Sequence, residues 1–426
     1  MPEAAFSVFP YFFVVRPQDA LRSGLQEPGH VSDSPEENLT RIAALIAVVP
    51  ALALGAASAQ PLGAREPSVA ALRICTHDPF PSRVADFRYV ILNAWDWRRV
   101  AAIKKRSPQT RVLVYKNMTS TRRDAVQNGR DQALLPTGVG YAFAEQHHPD
   151  WFLRDTQGRL VSWTSAPDAW QMAIGNRGYE RLWARNVARE LRAHGWDGVF
   201  VDGATADPQT PWALGGRVFA RYPTAHSYQR ATTRFFRRVP SAIRRHGRLF
   251  IANVNDGSFD VWRQWLGYAS GTSREWWTKA QTGRAAGLIG GAEWSAQLRQ
   301  LRTAESVHKI FIAITYGPAD DARSVSYARA SFLLAASSPT SALAYSSDCG
   351  TPAWTPKTAA HLGAPRGPAT RVGPVWRRDF AGGVALVNPS TVPAPVVLGG
   401  SFREPNGSLV SSVVMAPLTG LLLQRP

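Results

Sequence analysis

The chain has 426 residues, 45% of them hydrophobic and 19% charged, a globular composition that excludes collagen-like and disordered classes. Its formal net charge of +18 comes almost entirely from arginine, because only six of the 49 basic residues are lysine. This charge predicts attraction to anionic polymers, with a solvated arginine-rich surface as the alternative, and no nucleic-acid motif accompanies it.

The first 60 residues contain an export pattern. Residues 39–60 read LTRIAALIAVVPALALGAASAQ, an apolar run after one positive residue, ending in small residues; this is typical of a signal peptide (39–59) cleaved near Ala59. The run is short and contains Pro50, and the residue directly after the cleavage site is Gln60 and not a cysteine. We therefore predict a secreted protein without a stable membrane anchor. We expect residues 1–38 to be a non-native or disordered extension that precedes the true translation start.

From residue 70 onward, short apolar strands alternate with helical stretches. The predicted strands are 72–76, 89–93, 111–115, 198–202, 249–253, 266–269, 309–315 and 342–346. The predicted helices are 98–106, 178–194, 225–246, 258–265, 292–307 and 322–337. Eight strands, each followed by a helix or a long loop, predict a closed (β/α)₈ TIM barrel over residues 70–350. An open doubly wound sheet is the alternative, but no glycine-rich phosphate loop follows the first strand.

The amino-acid composition and the hydrophobic pattern change after the eighth strand. Residues 351–370 are rich in Pro, Gly and Ala and are interpreted as a linker. Residues 371–426 lack helical periodicity and contain short apolar runs separated by Gly, Pro and Asn, which predicts a small antiparallel, sandwich-like β-domain. Closure of the barrel would bring Cys75 and Cys349 near each other, so a disulfide is possible in an exported protein. Whether they are bonded stays open.

Polar residues follow most of the predicted strands. In a barrel the active site lies at the carboxyl ends of the strands, so the residues there are candidate substrate contacts. We predict this role for His77, Asp78, Asp96, Lys116, Asn117, Asn253, Asn255, Trp276, Tyr316 and Asp348.

Asp202 is the strongest single candidate for catalysis. The phrase WDGVFVDGA at 196–204 turns the chain after a helix and then delivers Asp202 at the end of an apolar strand, with Gly203 beside it. The adjacent glycine would let a ligand approach closely. The alternative is a carboxylate that only binds a neighbouring loop.

Glycoside hydrolysis generally uses two carboxyl groups, and Glu275 is the best candidate partner. It follows the sixth strand in GTSREWW, where two tryptophans offer apolar surface that would raise its pKa toward that of a general acid. The alternative is a loop glutamate paired with Arg274. Asp256, Asp348 and Asp78 are further candidates, whereas Asp320 and Asp321 are expected to cap the helix at 322–337.

Other chemistries fit the sequence less well. His147-His148 lacks a third ligand at metal spacing, and no Gly-x-Ser-x-Gly elbow is present, so we expect no metal, no cofactor and no serine nucleophile. Lys116 at a strand end could form a Schiff base, as in barrel aldolases, although a sugar contact is the favoured role.

At these residues the chain resembles glycosyl-hydrolase-like family fifteen, a group of barrel glycosidases known from sequence. The resemblance rests on VLVYKNM at 112–118, HPDWFLRD at 148–155, the run at 176–204 that ends in DGVFVDGA, REWW at 274–277 and RRDFAGGVALVNPS at 377–390. It implies a nucleophile at Asp202, and related superfamilies imply an acid/base carboxylate at Glu275. The stretch WQMAIGN at 170–176 lacks the Asp that related families often carry there.

The leading hypothesis is a secreted hydrolase of O-glycosidic bonds, acting on a poly- or oligosaccharide by paired-carboxylate catalysis. The arginine-derived charge makes an anionic carbohydrate polymer one candidate partner. The alternatives are a catalytically inactive carbohydrate-binding barrel and a barrel lyase or aldolase. The sugar, the linkage, the stereochemical outcome and the oligomeric state are not predicted.

Overall fold

The computed structural model describes residues 68–74, 84–209, 211–280, 287–347 and 362–426. Several sequence predictions lie outside these residues: the extension 1–38, the signal peptide 39–59, most of the linker 351–370, and His77, Asp78, Asp348, Cys75 and Cys349.

Eight parallel strands close into a barrel. They are β1 (Ser68–Arg73), β2 (Tyr89–Leu92), β3 (Arg111–Asn117), β4 (Gly198–Asp202), β5 (Leu249–Asn253), β6 (Gly271–Glu275), β7 (Ile310–Tyr316) and β8 (Ala342–Ser346). Each strand pairs with its neighbours in this order, and β1 pairs with β8 to close the circle. The predicted TIM barrel is confirmed.

Alternation along the strands decides which side chains enter the barrel. Tyr115, Phe200 and Ile251 belong to the cluster inside the barrel, whereas Val114 and Val199 pack outward into the helix layer. Since the side-chain period of a strand is two, the last interior position of β4 is Asp202 and that of β5 is Asn253. The interior alternation therefore places polar groups at the carboxyl ends of the strands.

Helices cover the barrel on the outside. They are α1 (Arg98–Arg106), α2 (Tyr141–His147), α3 (Arg177–Ala193), α4 (Pro211–Leu214), α5 (Ala225–Arg244), α6 (Phe259–Tyr268), α7 (Gly291–Ser306) and α8 (Ala322–Ala335). Asn176 caps α3 by accepting from two backbone N–H groups, and Asp321 caps α8 as predicted, accepting from Ser324 N. Among the described helices, none is both long enough and apolar enough to cross a bilayer.

A long segment between β3 and α3 forms its own small sheets. The strands Ser120–Arg122, Ala166–Gln171 and Ser162–Trp163 pair antiparallel, and Val126–Gln127 pairs with Arg130–Asp131. Two single turns of 3₁₀ helix, Arg123–Ala125 and Pro149–Trp151, belong to this segment. Two others lie earlier in the chain, at Val84–Asp86 and Ala94–Asp96. Because this segment follows the carboxyl end of β3, it begins at the face that carries the candidate site.

The sixth strand is the main error of the sequence prediction. The predicted strand at 266–269 is wrong, because α6 continues to Tyr268 and β6 runs from Gly271 to Glu275. Trp262, Trp265 and Leu266 are buried on one helical face, so their apolar run belongs to the helix. Since β6 is polar, it carries little apolar signal, and Glu275 is its last residue rather than part of a following loop.

The C-terminal strands form one curved antiparallel sheet. They are β9 (Thr370–Val372), β10 (Val375–Phe380), β11 (Gly383–Asn388), β12 (Ala394–Arg403), β13 (Leu409–Met415) and β14 (Thr419–Gln424), in the order β9-β10-β11-β14-β12-β13. The predicted antiparallel β-structure is present, but the strands do not form two sandwiched sheets. Val384 and Leu386 lie in the sheet's own core, and Ala385 and Val387 lie in the core shared with the barrel helices, so both faces are covered without a second sheet.

The curved sheet is attached to α8. Arg378 donates hydrogen bonds to Leu333 O and Ala336 O, at 2.8 and 2.6 Å, and so satisfies carbonyls at the end of that helix. A Cβ on Gly420 would lie 2.6 Å from Ser326 O, so only glycine allows this close approach. The sheet is therefore fixed to the barrel on the side of the seventh and eighth strands.

Candidate active site

The carboxyl group of Asp202 accepts three hydrogen bonds at the end of β4. Its Oδ1 accepts from Gly203 N at 2.8 Å and from Asn253 Nδ2 at 3.2 Å, and its Oδ2 accepts from Tyr115 OH at 2.8 Å. Gly203 has a φ of +82°, and a Cβ there would lie 2.7 Å from Thr119 Oγ1, so the position requires glycine. These contacts hold Asp202 in one orientation while it stays partly exposed.

Glu275 lies two strands away, at the end of β6, and its carboxyl group is surrounded by donors. Oε1 accepts from Tyr316 OH at 2.7 Å, and Oε2 accepts from Asn253 Nδ2 at 2.8 Å and Asn255 Nδ2 at 3.3 Å. Asn255 Oδ1 also accepts from the backbone N–H of Glu275 at 2.8 Å. The side chain and the backbone of Glu275 are thus held by the same amide.

The pKa of Glu275 is raised to about 7. Burial is the main cause, and the negative charge of Asp202 adds to it, while the hydrogen bonds from Tyr316, Asn253 and Asn255 act in the opposite direction. A carboxyl group with this pKa is partly protonated near neutral pH, so it can both give and take a proton there.

Asn253 links the two carboxyl groups through one amide nitrogen. Its Nδ2 donates to both Asp202 and Glu275, and its Oδ1 accepts from Ser273 Oγ at 3.0 Å. Because the Ser273 hydroxyl donates to the amide oxygen of Asn253, the amide nitrogen is oriented toward the two carboxyl groups. Asn253 is 3% exposed, which makes it a fixed spacer between the two acids.

Aromatic residues form the wall of the site. Burial, reinforced by a neighbouring carboxyl group, raises the pKa of both Tyr115 and Tyr316, so both phenols remain donors at neutral pH. The ring of Trp276 packs edge-on against Tyr316, with centroids 5.1 Å apart. Trp276 has a φ of +59°, a strained conformation for a non-glycine residue directly after Glu275.

The structure brings five of the predicted site residues together: Asp202, Glu275, Asn253, Asn255 and Tyr316. Trp276 packs beside them but is only 8% exposed, so it presents little of its ring to a sugar. Tyr115 was missed by the sequence prediction. Its position two residues before Asn117 on the same strand was the available signal, because both side chains face the interior.

Asn117, Asp96 and Asp256 have other partners. Asn117 is buried, and its Oδ1 accepts from the backbone N–H and hydroxyl groups of Thr119 and Ser120, so it holds the turn after β3. The Asp96 carboxyl lies 3.2 Å from Arg99 Nε. Asp256 accepts from Thr205 Oγ1, Ala206 N and Asp207 N and so holds the loop after β4. None of these contacts joins the carboxyl pair.

Lys116 points away from the site, which contradicts both the predicted sugar contact and the Schiff-base alternative. Its side chain is fully buried outside the barrel, where Nζ lies 2.7 Å from Glu190 Oε2 and also donates to Leu135 O. The reason is strand alternation: Tyr115 faces the interior, so the next residue faces the helix layer. Burial lowers the pKa of Lys116, and the Glu190 carboxylate opposes that effect.

We expect Lys116→Met to destabilise the fold by about 3 kcal/mol, because it leaves the mostly buried Glu190 carboxylate without its cation. Equilibrium urea unfolding measures this change. The double variant Lys116→Met/Glu190→Gln should recover part of the loss, since it removes the unpaired charge as well. Unchanged stability in the single variant would contradict a structural ion pair, and borohydride trapping at Lys116 would contradict its outward position.

We expect Tyr316→Phe to raise the pKa of Glu275 above its value of about 7, because it removes a donor that favours the ionised carboxyl. If Glu275 acts as an acid, the high-pH limb of kcat/KM should move to higher pH by roughly 0.5–1 unit. A pH–rate profile of the wild type and the variant measures this shift. Movement of the limb to lower pH is the contrary result.

Within the described residues, His, Cys, Asp and Glu form no group of three or more that could hold a metal ion. What the site offers is a pair of carboxyl groups, both partly exposed, that accept from different sets of donors. Such an arrangement can supply a nucleophile and a proton donor on the same substrate bond.

Comparison with known proteins gives a family match. The sequence model of a family described as hypothetical glycosyl hydrolase family 15 matches residues 104–384. No curated protein matches the chain.

Solved structures show weaker similarity. The glycoside hydrolase domain of PelA from Pseudomonas aeruginosa is 18% identical over 67% of this chain and 96% of its own, with a TM-score of 0.44. The maltogenic α-amylase AmyB from Thermotoga neapolitana is 10% identical over 80% of this chain and 90% of its own, with a TM-score of 0.44. A Nostoc punctiforme debranching enzyme is 10% identical over 80% and 87%, with a TM-score of 0.45.

Proposed function

Since the chain belongs to hypothetical glycosyl hydrolase family 15, the family that its motifs resemble, we propose that it cleaves O-glycosidic bonds with Asp202 and Glu275 as a catalytic pair. The family supports glycosidase activity in general, and the paired-carboxylate mechanism is our proposal. One observation carries it: a single amide nitrogen of Asn253 lies 3.2 Å from Asp202 Oδ1 and 2.8 Å from Glu275 Oε2.

This bridging amide limits the distance between the two acids and favours a retaining mechanism. Two oxygens bound to one nitrogen at those distances lie within about 6 Å of each other. Retaining glycosidases hold their carboxyl groups about 5–5.5 Å apart, and inverting enzymes about 6.5–9.5 Å apart to admit a water molecule. The upper limit on the Oδ1–Oε2 distance lies below the inverting range, and this favours direct attack by one carboxylate on the sugar.

In the first step Glu275 is the acid and Asp202 is the nucleophile. The Glu275 proton passes to the glycosidic oxygen while the bond between that oxygen and the anomeric carbon breaks. A carboxylate oxygen of Asp202 forms a bond to the anomeric carbon, giving a covalent glycosyl ester. Burial keeps Glu275 protonated in part at neutral pH, and its proton also relieves repulsion with Asp202.

In the second step the roles of Glu275 reverse. Its carboxylate takes a proton from water as the water oxygen attacks the anomeric carbon, and the bond to Asp202 breaks. The product leaves with its original anomeric configuration, and Glu275 is protonated again. The donors Tyr316, Asn253 and Asn255 stabilise the ionised Glu275 that this step requires.

The test is a glycan panel scored for release of reducing ends, with the wild type and both carboxyl variants. Turnover that is lost in Asp202→Asn and Glu275→Gln supports the proposal. Binding without turnover, unchanged in both variants, would instead support the inactive carbohydrate-binding barrel. For an active substrate, proton NMR of the first-formed product distinguishes retention from inversion.

We also propose that the enzyme is secreted, on the basis of the signal-peptide pattern at 39–59. N-terminal sequencing of protein recovered from culture medium tests this. A mature chain in the medium that begins near Gln60 supports it, absence of the protein from the medium contradicts it, and a chain that retains residues 1–38 contradicts the later translation start.

A further inference from the structure

A basic groove lies on the outer wall of the barrel, between α3 and α5. It has a volume of about 450 Å³, and its floor contains the small or apolar residues Ala184, Ala188, Val239 and Ala242. Because alanine side chains are short, the two packed helices leave an open channel at this line of contact. Six basic residues line the channel: Arg181, Arg185, Arg192, Arg238, Arg245 and His246.

The charge of this groove is strongly one-sided. Its one acidic lining residue, Glu180, is 2% exposed and is paired with Arg238 at 2.7 Å. The segments Arg177–Ala193 and Ala225–Arg244 together hold ten arginines and two glutamates. The second glutamate, Glu190, is paired with Lys116 at 2.7 Å. Arg238 is thus paired with an acid. Among the described residues, no acidic side chain lies within ion-pair distance of Arg181, Arg185, Arg192 or Arg245.

The groove arginines follow the helix axis. Arg181 and Arg185 are one turn apart, and Arg192 continues the same face of α3. Like charges at this spacing repel one another and are relieved by a bound anion. From Arg181 to Arg192 the helix rises about 16 Å, which is longer than one small anion and suits a chain with several charged groups.

We propose that this groove, the α3–α5 groove, binds an anionic polysaccharide whose sugars carry carboxylate or sulfate groups. Guanidinium groups match such anions well, because they donate two parallel hydrogen bonds to a planar acid. None of the described lining residues is Phe, Tyr or Trp, so the groove offers no platform on which nucleic-acid bases could stack. The groove lies on the outer helices and not inside the barrel, so it is a separate site from the carboxyl pair.

The experiment measures binding of polygalacturonate, with neutral dextran as the uncharged comparison, in an Asp202→Asn background where cleavage cannot interfere. The groove variant is Arg181→Gln/Arg192→Gln/Arg245→Gln, which keeps Arg238 so that the buried Glu180 stays paired. The control variant is Arg130→Gln/Arg189→Gln/Arg263→Gln. It removes the same charge from exposed positions outside the groove, one of them on α3 itself.

We expect the groove variant to bind polygalacturonate at least tenfold more weakly at low salt, and the control variant to stay within threefold of the parent. Added NaCl should weaken parental binding, because exposed charges are screened. Equal losses in both triple variants would overturn the proposal in favour of diffuse surface charge. Binding of an oligothymidylate that is tighter than that of polygalacturonate and is lost in the groove variant would overturn it in favour of a nucleic acid. Circular dichroism melting confirms that both variants are folded.

Polymer binding at the α3–α5 groove is independent of the proposed catalytic function. Binding is measured without turnover, so an inactive carboxyl pair would not affect the result. Conversely, a groove that binds no polygalacturonate leaves the glycan-panel test of Asp202 and Glu275 unchanged.

Discussion

Asp202→Asn is expected to lower kcat/KM by at least about 10³-fold, which corresponds to roughly 4 kcal/mol of transition-state stabilisation. The amide keeps the shape of the side chain and can still accept from Gly203 N, which donates to Asp202 Oδ1 at 2.8 Å. It cannot act as the carboxylate nucleophile that the proposed mechanism requires. The measurement is initial-rate kinetics on the best substrate from the glycan panel.

The matched control is Asp207→Asn, on the loop that follows β4. Asp207 accepts from Gln209 N at 3.0 Å and does not contact the carboxyl pair, so this variant should stay within about threefold of the wild type. A slow, activated glycoside with a good leaving group should label Asp202 in the wild type and leave the Asn variant unlabelled, as judged by peptide mass spectrometry. Near-normal turnover in Asp202→Asn would remove it from the mechanism.

Glu275→Gln is expected to lower kcat/KM by about 10²–10⁴-fold for substrates with a poor leaving group, because the variant lacks the proposed proton donor. Substrates with a very acidic leaving group need little protonation, so their first step should fall much less. A series of aryl glycosides with leaving groups of different acidity measures this contrast. A loss that is equal across the series would argue against general acid catalysis by Glu275.

The pH dependence provides a second readout for the same residue. In the proposed mechanism Glu275 must be protonated, so kcat/KM of the wild type should fall as the pH rises through the Glu275 pKa of about 7. The side-chain amide introduced by Glu275→Gln does not titrate, so the remaining activity of the variant should lose this high-pH limb. Glu293→Gln is the control. Burial also raises the pKa of Glu293, but this residue lies beside Arg274 and contacts neither the Asp202 nor the Glu275 carboxyl group.

Loss of folding does not explain the expected effect of Glu275→Gln. The folded-state pKa of Glu275 is raised above the ordinary value of 4.5, so the wild type loses stability as the pH rises from that value through about 7. The neutral amide removes this cost. The variant should therefore melt at the same temperature as the wild type or higher at pH 8, while its activity is low.

Local sequence patterns were enough for the barrel and for Asp202. The apolar run Gly198–Asp202 ends in a carboxylate, and the preceding amphipathic helix ends before Gly195, so helix, turn and strand follow from neighbouring residues. Alternating strands and helices then predict a barrel whose strand ends share one face. Glu275 was also selected, although its strand was placed too early, because β6 has no apolar run that separates it from α6.

Tertiary structure alone decided which polar residues meet. Lys116 and Asn117 are adjacent in the sequence, yet Lys116 is paired with Glu190 outside the barrel and Asn117 faces inward. The reason is that successive side chains of a strand point to opposite faces. The contacts of Asp202 with Tyr115 and Asn253 join strands that are far apart in the chain. The raised pKa of Glu275 depends on burial and on the charge of Asp202. The sequence by itself determined the barrel and the two acids; closure of the barrel decided their separation, their hydrogen bonds and their protonation, because those depend on distances between strands.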